Sequence, residues 1–151
     1  PGEASVHQGA VLVTSVLDTL HNGKPLAVVD ASIEAHMLDL LIYRQSSPLA
    51  YVNDTAYDIK GGDFDGVTAD ETAVRIYGKS CLAGDIFGDY TLDEPLQIGD
   101  KVAFGNAAAY TMVKKNWFNG VDMPSIVIIR QDGEVVVQRQ FDYDDYKNSL
   151  S

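Results

Sequence analysis

Branched apolar residues crowd the stretch AVLVTSVLDTL, Ala10 to Leu20, without a clean alternation between two faces. An extended run that is apolar on both sides predicts a long strand with a buried middle, closed by a turn at His21-Asn22-Gly23. LAVVD, Leu26 to Asp30, reads as a second strand. ASIEAHMLDLLIYR, Ala31 to Arg44, fits two readings. Ser32 is placed to cap a short helix carrying Met37, Leu38 and Leu41, while the last residues suit a strand equally well. Pro48 interrupts the pattern, and extended segments are expected between Leu49 and Lys60. AVRIYG (Ala73 to Gly78) and the run Lys101 to Phe104, which follows a Gly99-Asp100 bend, read as further strands. NAAAYTMV, Asn106 to Val113, is expected to continue the core after a turn. The clearest local signal is IVIIRQDGEVVVQRQ, where two branched runs flank Asp132-Gly133, a strong hairpin marker. FDYDDYKNSL predicts one or two turns of amphipathic helix.

The pattern is therefore mainly β, with short helices at its edges. So many strands in 151 residues favour closure into a barrel or sandwich, because either leaves fewer bare edges. With 46% apolar residues the chain can bury one core, which makes a single domain the expectation.

Charge and cysteine content narrow the class. The formal net charge is −11, from 22 acidic and 11 basic residues, which argues against a broad basic surface for nucleic acid. An acidic cleft would concentrate a cationic substrate, although solubility alone also accounts for the charge. One cysteine excludes an internal disulfide and fits a reducing compartment. No apolar run spans a bilayer and PGEASVHQG lacks the pattern of a signal peptide, so a cytoplasmic protein without membrane contact is expected.

Few residues suggest chemistry by themselves. Asp63, Asp65 and Asp70 in GGDFDGVTADE miss the spacing of a twelve-residue calcium loop. The three histidines and the cysteine have no metal-ligand spacing; His36 and Asp39 lie one helical turn apart, a common coincidence. Cys81, in GKSCLAGD, admits two readings. Isolated cysteines usually fill cores, but Gly78, Gly84 and Gly88 around it are loop composition, able to aim a thiol at a ligand. Tyr110 is either a core aromatic or a phenol left at a ligand, and the Trp117–Gly120 cluster is either lid or packing. Gly2, after Pro1, leaves an amide open to a phosphate.

PGEA, ASIEAHMLD, CLAGDIFGDY and AAAYTMVKKNWFNGV occur in the order found in one known family. The chain resembles the C-terminal part of the pyridoxal-phosphate-dependent decarboxylases of fold type III, the alanine racemase-like group, from about Pro1 to its end. Within that group it is most similar to the branch acting on carboxylated triamines. The resemblance implies two domains in the whole protein: an (α/β)8 barrel with pyridoxal 5'-phosphate on a lysine, and a β domain that helps close the site. Residues 1–9 would then end the barrel and residues 10–151 form the β domain, with a barrel-facing excursion around 31–44. The Schiff-base lysine and the glutamate that pairs with the pyridine nitrogen would both precede Pro1, so this chain alone is expected to be inactive.

The resemblance also implies roles. Gly2 looks like the glycine whose amide meets the cofactor phosphate, but Glu3 stands where relatives carry arginine. Cys81 resembles the thiol that crosses a homodimer interface and returns a proton to the substrate Cα in the neighbouring subunit's site. Relatives follow that cysteine with an acidic residue; here Leu82 follows, leaving Asp85 as the nearest acidic candidate for substrate binding. Tyr110 looks like the tyrosine at the cofactor phosphate or ring. His36 and Asp39, in the branch-specific stretch, are further substrate-binding candidates.

The implied activity is decarboxylation of carboxynorspermidine or carboxyspermidine to norspermidine or spermidine. Aspartates would hold the substrate's ammonium groups through charge-assisted hydrogen bonds. Two alternatives stand beside it: a decarboxylase of the diaminopimelate or ornithine type, and a β domain without catalysis that serves binding or interaction.

Overall fold

The first strand organises the sheet. In the computed structural model, which describes residues 5–6, 9–51, 59–60 and 72–151, β1 (Leu12–His21) serves two partners in turn. Its first half pairs antiparallel with β7 (Lys101–Phe104), and its second half pairs antiparallel with β2 (Pro25–Val29). A register shift between Val16 and Asp18 marks the change, and Asp30 fastens it: its carboxylate accepts from the Ser15 amide at 2.8 Å. Leu12, Thr14 and Val16 face inward while Val13 and Leu17 stay exposed, so the apolar residues on both sides of this stretch are shared between core and outer face.

Among the described residues the sheet has seven strands, in the order β4-β3-β7-β1-β2-β5-β6. Here β3 is Leu49–Tyr51, β4 Ile59–Lys60, β5 Val74–Tyr77 and β6 Ile86–Tyr90. β2 and β5 are parallel, and the other pairs in this sheet are antiparallel. Although three strands separate β6 from β7 in this order, Phe87 stacks on Phe104 with ring centroids 4.1 Å apart. The sheet has curled into a nearly closed barrel. Ser47 closes the seam: its amide donates to Phe87 O at 3.4 Å and its hydroxyl to Gly105 O at 2.8 Å. The buried Tyr90 hydroxyl lies 2.8 Å from Ser47 O, and burial pushes this phenol well above its ordinary range. Gly88, at φ 151°, permits the approach, since a Cβ there would lie 2.8 Å from Ser46 Cβ and 2.9 Å from the Tyr90 hydroxyl.

Among the described residues there are four short helices: α1 (Ile33–His36), α2 (Leu38–Tyr43), α3 (Tyr110–Val113) and α4 (Tyr143–Ser149). Ser32 caps α1 as expected, its hydroxyl accepting from the Ala35 amide, and the ambiguous end of that stretch is the helix α2 rather than a strand. α4 opens with a capping box between Asp142 and Asp145. The expected hairpin is present as β8 (Ile126–Ile129) and β9 (Val135–Arg139). It forms a separate two-stranded ribbon with exposed Val127, Ile129 and Val135.

One expectation is corrected and another refined. The stretch from Gly78 to Gly88 reads as loop composition, but its end belongs to β6. The segment Asn106 to Val113, expected to continue the core after a turn, buries Ala107 and Thr111 but does so by way of a helix. Positive φ at Asn106 (59°) and Ala109 (53°) turns the chain into α3. Gly2 and the segment 61–71 with Asp63, Asp65 and Asp70 lie outside the described residues. No helix among the described residues is long and apolar enough to cross a membrane.

Asp89 explains how β6 carries a charge into the barrel wall. Its side chain is fully buried, with Arg75 Nε at 2.7 Å and Lys24 Nζ at 2.9 Å. Burial works to raise this carboxyl, but the hydrogen bonds and charges of Arg75 and Lys24 outweigh it and hold the group below its ordinary 3.8. The stabilisation is present above the unfolded value and is lost as pH falls through the lower folded value. In denaturant unfolding of the intact protein, Asp89→Asn is expected to cost about 2 kcal/mol at pH 7, since both cations keep some solvent. The variant should also lose part of the parent's stability decline below about pH 4. An unchanged midpoint and unchanged acid limb would remove Asp89 from the account.

Candidate active site

Between β5 and β6 the chain reverses through residues 78–85, and one buried carboxylate shapes that reversal. Asp85 is 1% exposed. One of its oxygens accepts from the Ile33 amide at 2.8 Å; the other accepts from the Ser80 amide at 3.1 Å and the Ser80 hydroxyl at 2.5 Å. Asp85 thus joins the loop to the first turn of α1. Gly78 is required by this packing, because a Cβ there would sit 2.4 Å from both carboxylate oxygens. Backbone bonds complete the loop: Gly78 N to Asp85 O at 2.8 Å, Asp85 N to Leu82 O at 2.9 Å, and Lys79 N to Ala31 O at 2.8 Å.

Cys81 stands exposed on this braced loop. The Asn119 side-chain amide donates to its Sγ at 2.9 Å. Asn119 belongs to the 3-10 turn Phe118–Gly120 and adopts the left-handed conformation at φ 54°. Asparagine tolerates that region better than most side chains. The turn is anchored from both ends. Asn116 donates its backbone amide to Ala35 O at 2.8 Å and its side-chain amide to Glu34 O at 3.0 Å, while accepting from the Phe118 amide at 2.8 Å. Trp117 packs against Phe141 and Tyr146, with ring centroids 5.8 and 5.9 Å away. Packing, rather than a free lid, describes this cluster.

A second group surrounds α3. Tyr110, its first residue, is 58% exposed, and its hydroxyl makes no hydrogen bond among the described residues. Lys114 Nζ lies 5.3 Å from the Tyr110 ring centroid. Asp39, in the first turn of α2, accepts from Lys114 Nζ at 2.5 Å and from the Thr111 hydroxyl at 3.1 Å. α2 and α3 are therefore tied by a partly screened ion pair.

The structure separates the expected site residues into two kinds. Cys81 and Tyr110 present their functional groups at the surface. The substrate-binding candidates Asp85, Asp39 and His36 are instead engaged within the domain. Asp85 is enclosed and fully engaged, and the Asp39 carboxylate is occupied by Thr111 and Lys114. The His36 ring is 5% exposed; its Nδ1 accepts from the Ser32 amide at 3.3 Å, and its Nε2 faces the Asp122 backbone without reaching hydrogen-bond geometry. Asn119 and Lys114 were not among the expected site residues. Asn119-Gly120 carries a visible turn signal, but nothing in its spacing joins it to a cysteine 38 positions earlier.

Comparison with known proteins places this geometry in context. The family described as the pyridoxal-dependent decarboxylase C-terminal sheet domain matches residues 8–108. The chain is 53% identical over its whole length to a carboxynorspermidine/carboxyspermidine decarboxylase of Herminiimonas arsenicoxydans, and spans 37% of that protein. It is 39% identical, over 99% of its length, to a carboxyaminopropylagmatine decarboxylase of Synechocystis, of which it spans 36%. The crystal structure of carboxynorspermidine decarboxylase from Campylobacter jejuni, in complex with norspermidine, matches 99% of this chain and 40% of that one. The TM-score is 0.81 at 36% identity.

Burial, more than any charge, pushes the His36 imidazole down from 6.5 to about 4; the nearby Lys79 adds to this, while the Asp122 backbone, Asp85 and Asp30 oppose it. The ring is neutral in the folded protein at pH 7 and accepts a proton more readily when unfolded. Its contribution is present above the unfolded value and is lost as pH falls from 6.5 to about 4. Stability of the intact protein should decline by about 3 kcal/mol over that window. His36→Gln, which takes no proton there, should flatten the decline. An equally steep decline in the variant would contradict a buried neutral imidazole.

Proposed function

The chain belongs to the pyridoxal-dependent decarboxylases, whose C-terminal sheet domain it carries, and from that membership we propose that the intact protein decarboxylates carboxynorspermidine or carboxyspermidine. The products are norspermidine or spermidine and carbon dioxide. The observation that carries the reading is the exposed Cys81 thiol on a loop braced from within, in a chain that shares its whole length with relatives of that name.

Pyridoxal 5'-phosphate, when bound, supplies an electron sink for the pair left behind as carbon dioxide departs. The residues present fit its phosphate: the Tyr110 hydroxyl is available as a donor on an exposed face, with the Lys114 ammonium beside its ring. Gly2 is proposed to add its backbone amide. Cys81 Sγ delivers a proton to the substrate Cα as general acid, reaching the site of the neighbouring subunit in a homodimer. Asp39 acts indirectly, by fixing α3 through Thr111 and Lys114, and Asp85 by holding the Cys81 loop. His36 supports the site from below, as a neutral packed ring. Residues 1–9 are proposed to end an (α/β)8 barrel and residues 10–151 to form the β domain, with the Schiff-base lysine outside this segment. The 151-residue segment alone is then inactive.

A second reading is favoured by the relative that acts on carboxyaminopropylagmatine. It differs in the far end of the substrate, a guanidinium in place of an ammonium, and leaves the chemistry at Cα unchanged.

Carbon dioxide release by the intact protein should be followed with carboxynorspermidine, carboxyspermidine, carboxyaminopropylagmatine, diaminopimelate and ornithine. The highest kcat/KM is expected with a carboxylated triamine; a preference for diaminopimelate or ornithine would overturn the assignment. With the preferred substrate, Cys81→Ala should lower kcat about 100-fold, with cofactor absorbance retained. Turnover within about twofold of the parent would remove Cys81 as the acid.

A further inference from the structure

We propose that Asn119 is the positioning residue of the Cys81 thiol, donating a hydrogen bond to Sγ that orients the sulfur and stabilises the charge left on it when its proton departs. The inference rests on the reading of Cys81 as the Cα proton donor and deepens it.

The geometry is specific. Asn119 Nδ2 stands 2.9 Å from Sγ, and its backbone is fixed by a turn whose neighbouring amides are paired. Phe118 N donates to Asn116 Oδ1, Gly120 N donates to Trp117 O at 2.9 Å, and Val121 N donates to Phe118 O at 3.1 Å. Lys79, two residues before Cys81, pairs with Asp122 at 3.3 Å and ties the same two loops together a second time. Loop and turn therefore meet at two points, and one of them is the sulfur. Asn119 adopts a positive φ of 54°, and its side-chain amide meets a thiol on a loop 38 residues away.

During transfer the S–H bond breaks and a C–H bond forms at the substrate Cα, while the sulfur keeps the electron pair as a thiolate. An N–H group aimed at that sulfur is worth more to the thiolate than to the thiol, so it eases the proton's departure. It also occupies one side of the sulfur, which leaves the S–H free to point elsewhere. A neutral amide does this without the full charge that an arginine or lysine would bring.

Two substitutions separate this role from a merely structural one. Asn119→Gly removes the donor, and glycine occupies the left-handed region at least as readily, so the turn is retained. Asn119→Asp keeps the shape and conformation but sets an acceptor-only carboxylate against the sulfur. In the intact protein without cofactor, iodoacetamide alkylation of Cys81 at neutral pH is followed by peptide mass. Asn119→Gly should slow it about fivefold and Asn119→Asp about tenfold, because the reactive thiolate loses a stabilising donor. A purely structural role predicts the reverse for Asn119→Gly, since a loosened, uncovered thiol reacts faster. With cofactor and substrate, kcat should fall in the same order with KM nearly unchanged. Alkylation of Asn119→Gly as fast as the parent's, or Asn119→Asp as reactive as the parent, would overturn the proposal. Alkylation reads the Asn119–Cys81 contact without any turnover. If Cys81→Ala retains activity while alkylation follows Asn119 as expected, the proton-donor reading falls and the positioning contact stands.

Discussion

A single buried carboxylate decides where the thiol of this domain can be. Asp85 lies under the loop that bears Cys81 and takes hydrogen bonds from Ser80 on one side and from the first turn of α1 on the other. Burying a charge of this kind is costly unless hydrogen bonds satisfy it, and here both oxygens are satisfied, by the Ile33 amide and by Ser80. Loop and helix are thereby made mutually dependent. The glycine at position 78 is a consequence, because no side chain fits against those oxygens.

From that brace the remaining site geometry follows by short steps. Lys79 reaches Ala31 through its backbone and Asp122 through its ammonium, while α1 receives the Asn116 turn through Ala35 and Glu34. The turn in turn sets Asn119 beside Cys81. The barrel supplies the rigid base for all of this, through the Phe87–Phe104 stack and the Ser47 seam that hold β6 against β7. Function placed on loops needs such a scaffold, since exposed loops otherwise sample many geometries.

Much of the frame was legible in the sequence, and the exceptions have physical causes. The Asp132-Gly133 hairpin, the two-sided apolarity of β1 and the Ser32 cap are local signals, and each became the element it implies. β6 was hidden because IFGDY holds a glycine and an aspartate, both normally adverse to strands. Here the glycine makes room for Ser46 and Tyr90, and the aspartate is neutralised by Lys24 and Arg75 from distant positions. α3 was hidden because two left-handed residues outside any glycine precede it. Cys81 and Tyr110 were singled out from family motifs, and both stand exposed. The internal duties of Asp85, Asp39 and His36 were not legible, since a buried acid and a solvated one look alike until long-range partners are known.

Asp85 holds the Cys81 loop to α1, and backbone hydrogen exchange on Asp85→Ala in the intact protein measures this most directly. Faster exchange of the Ile33, Ser80 and Leu82 amides, with the β1–β7 ladder amides protected as before, is the predicted result, because only the groups bound to the carboxylate or to Ser80 are released. Unchanged protection of those three amides would show that the loop is held by other contacts, and would contradict the account at its base.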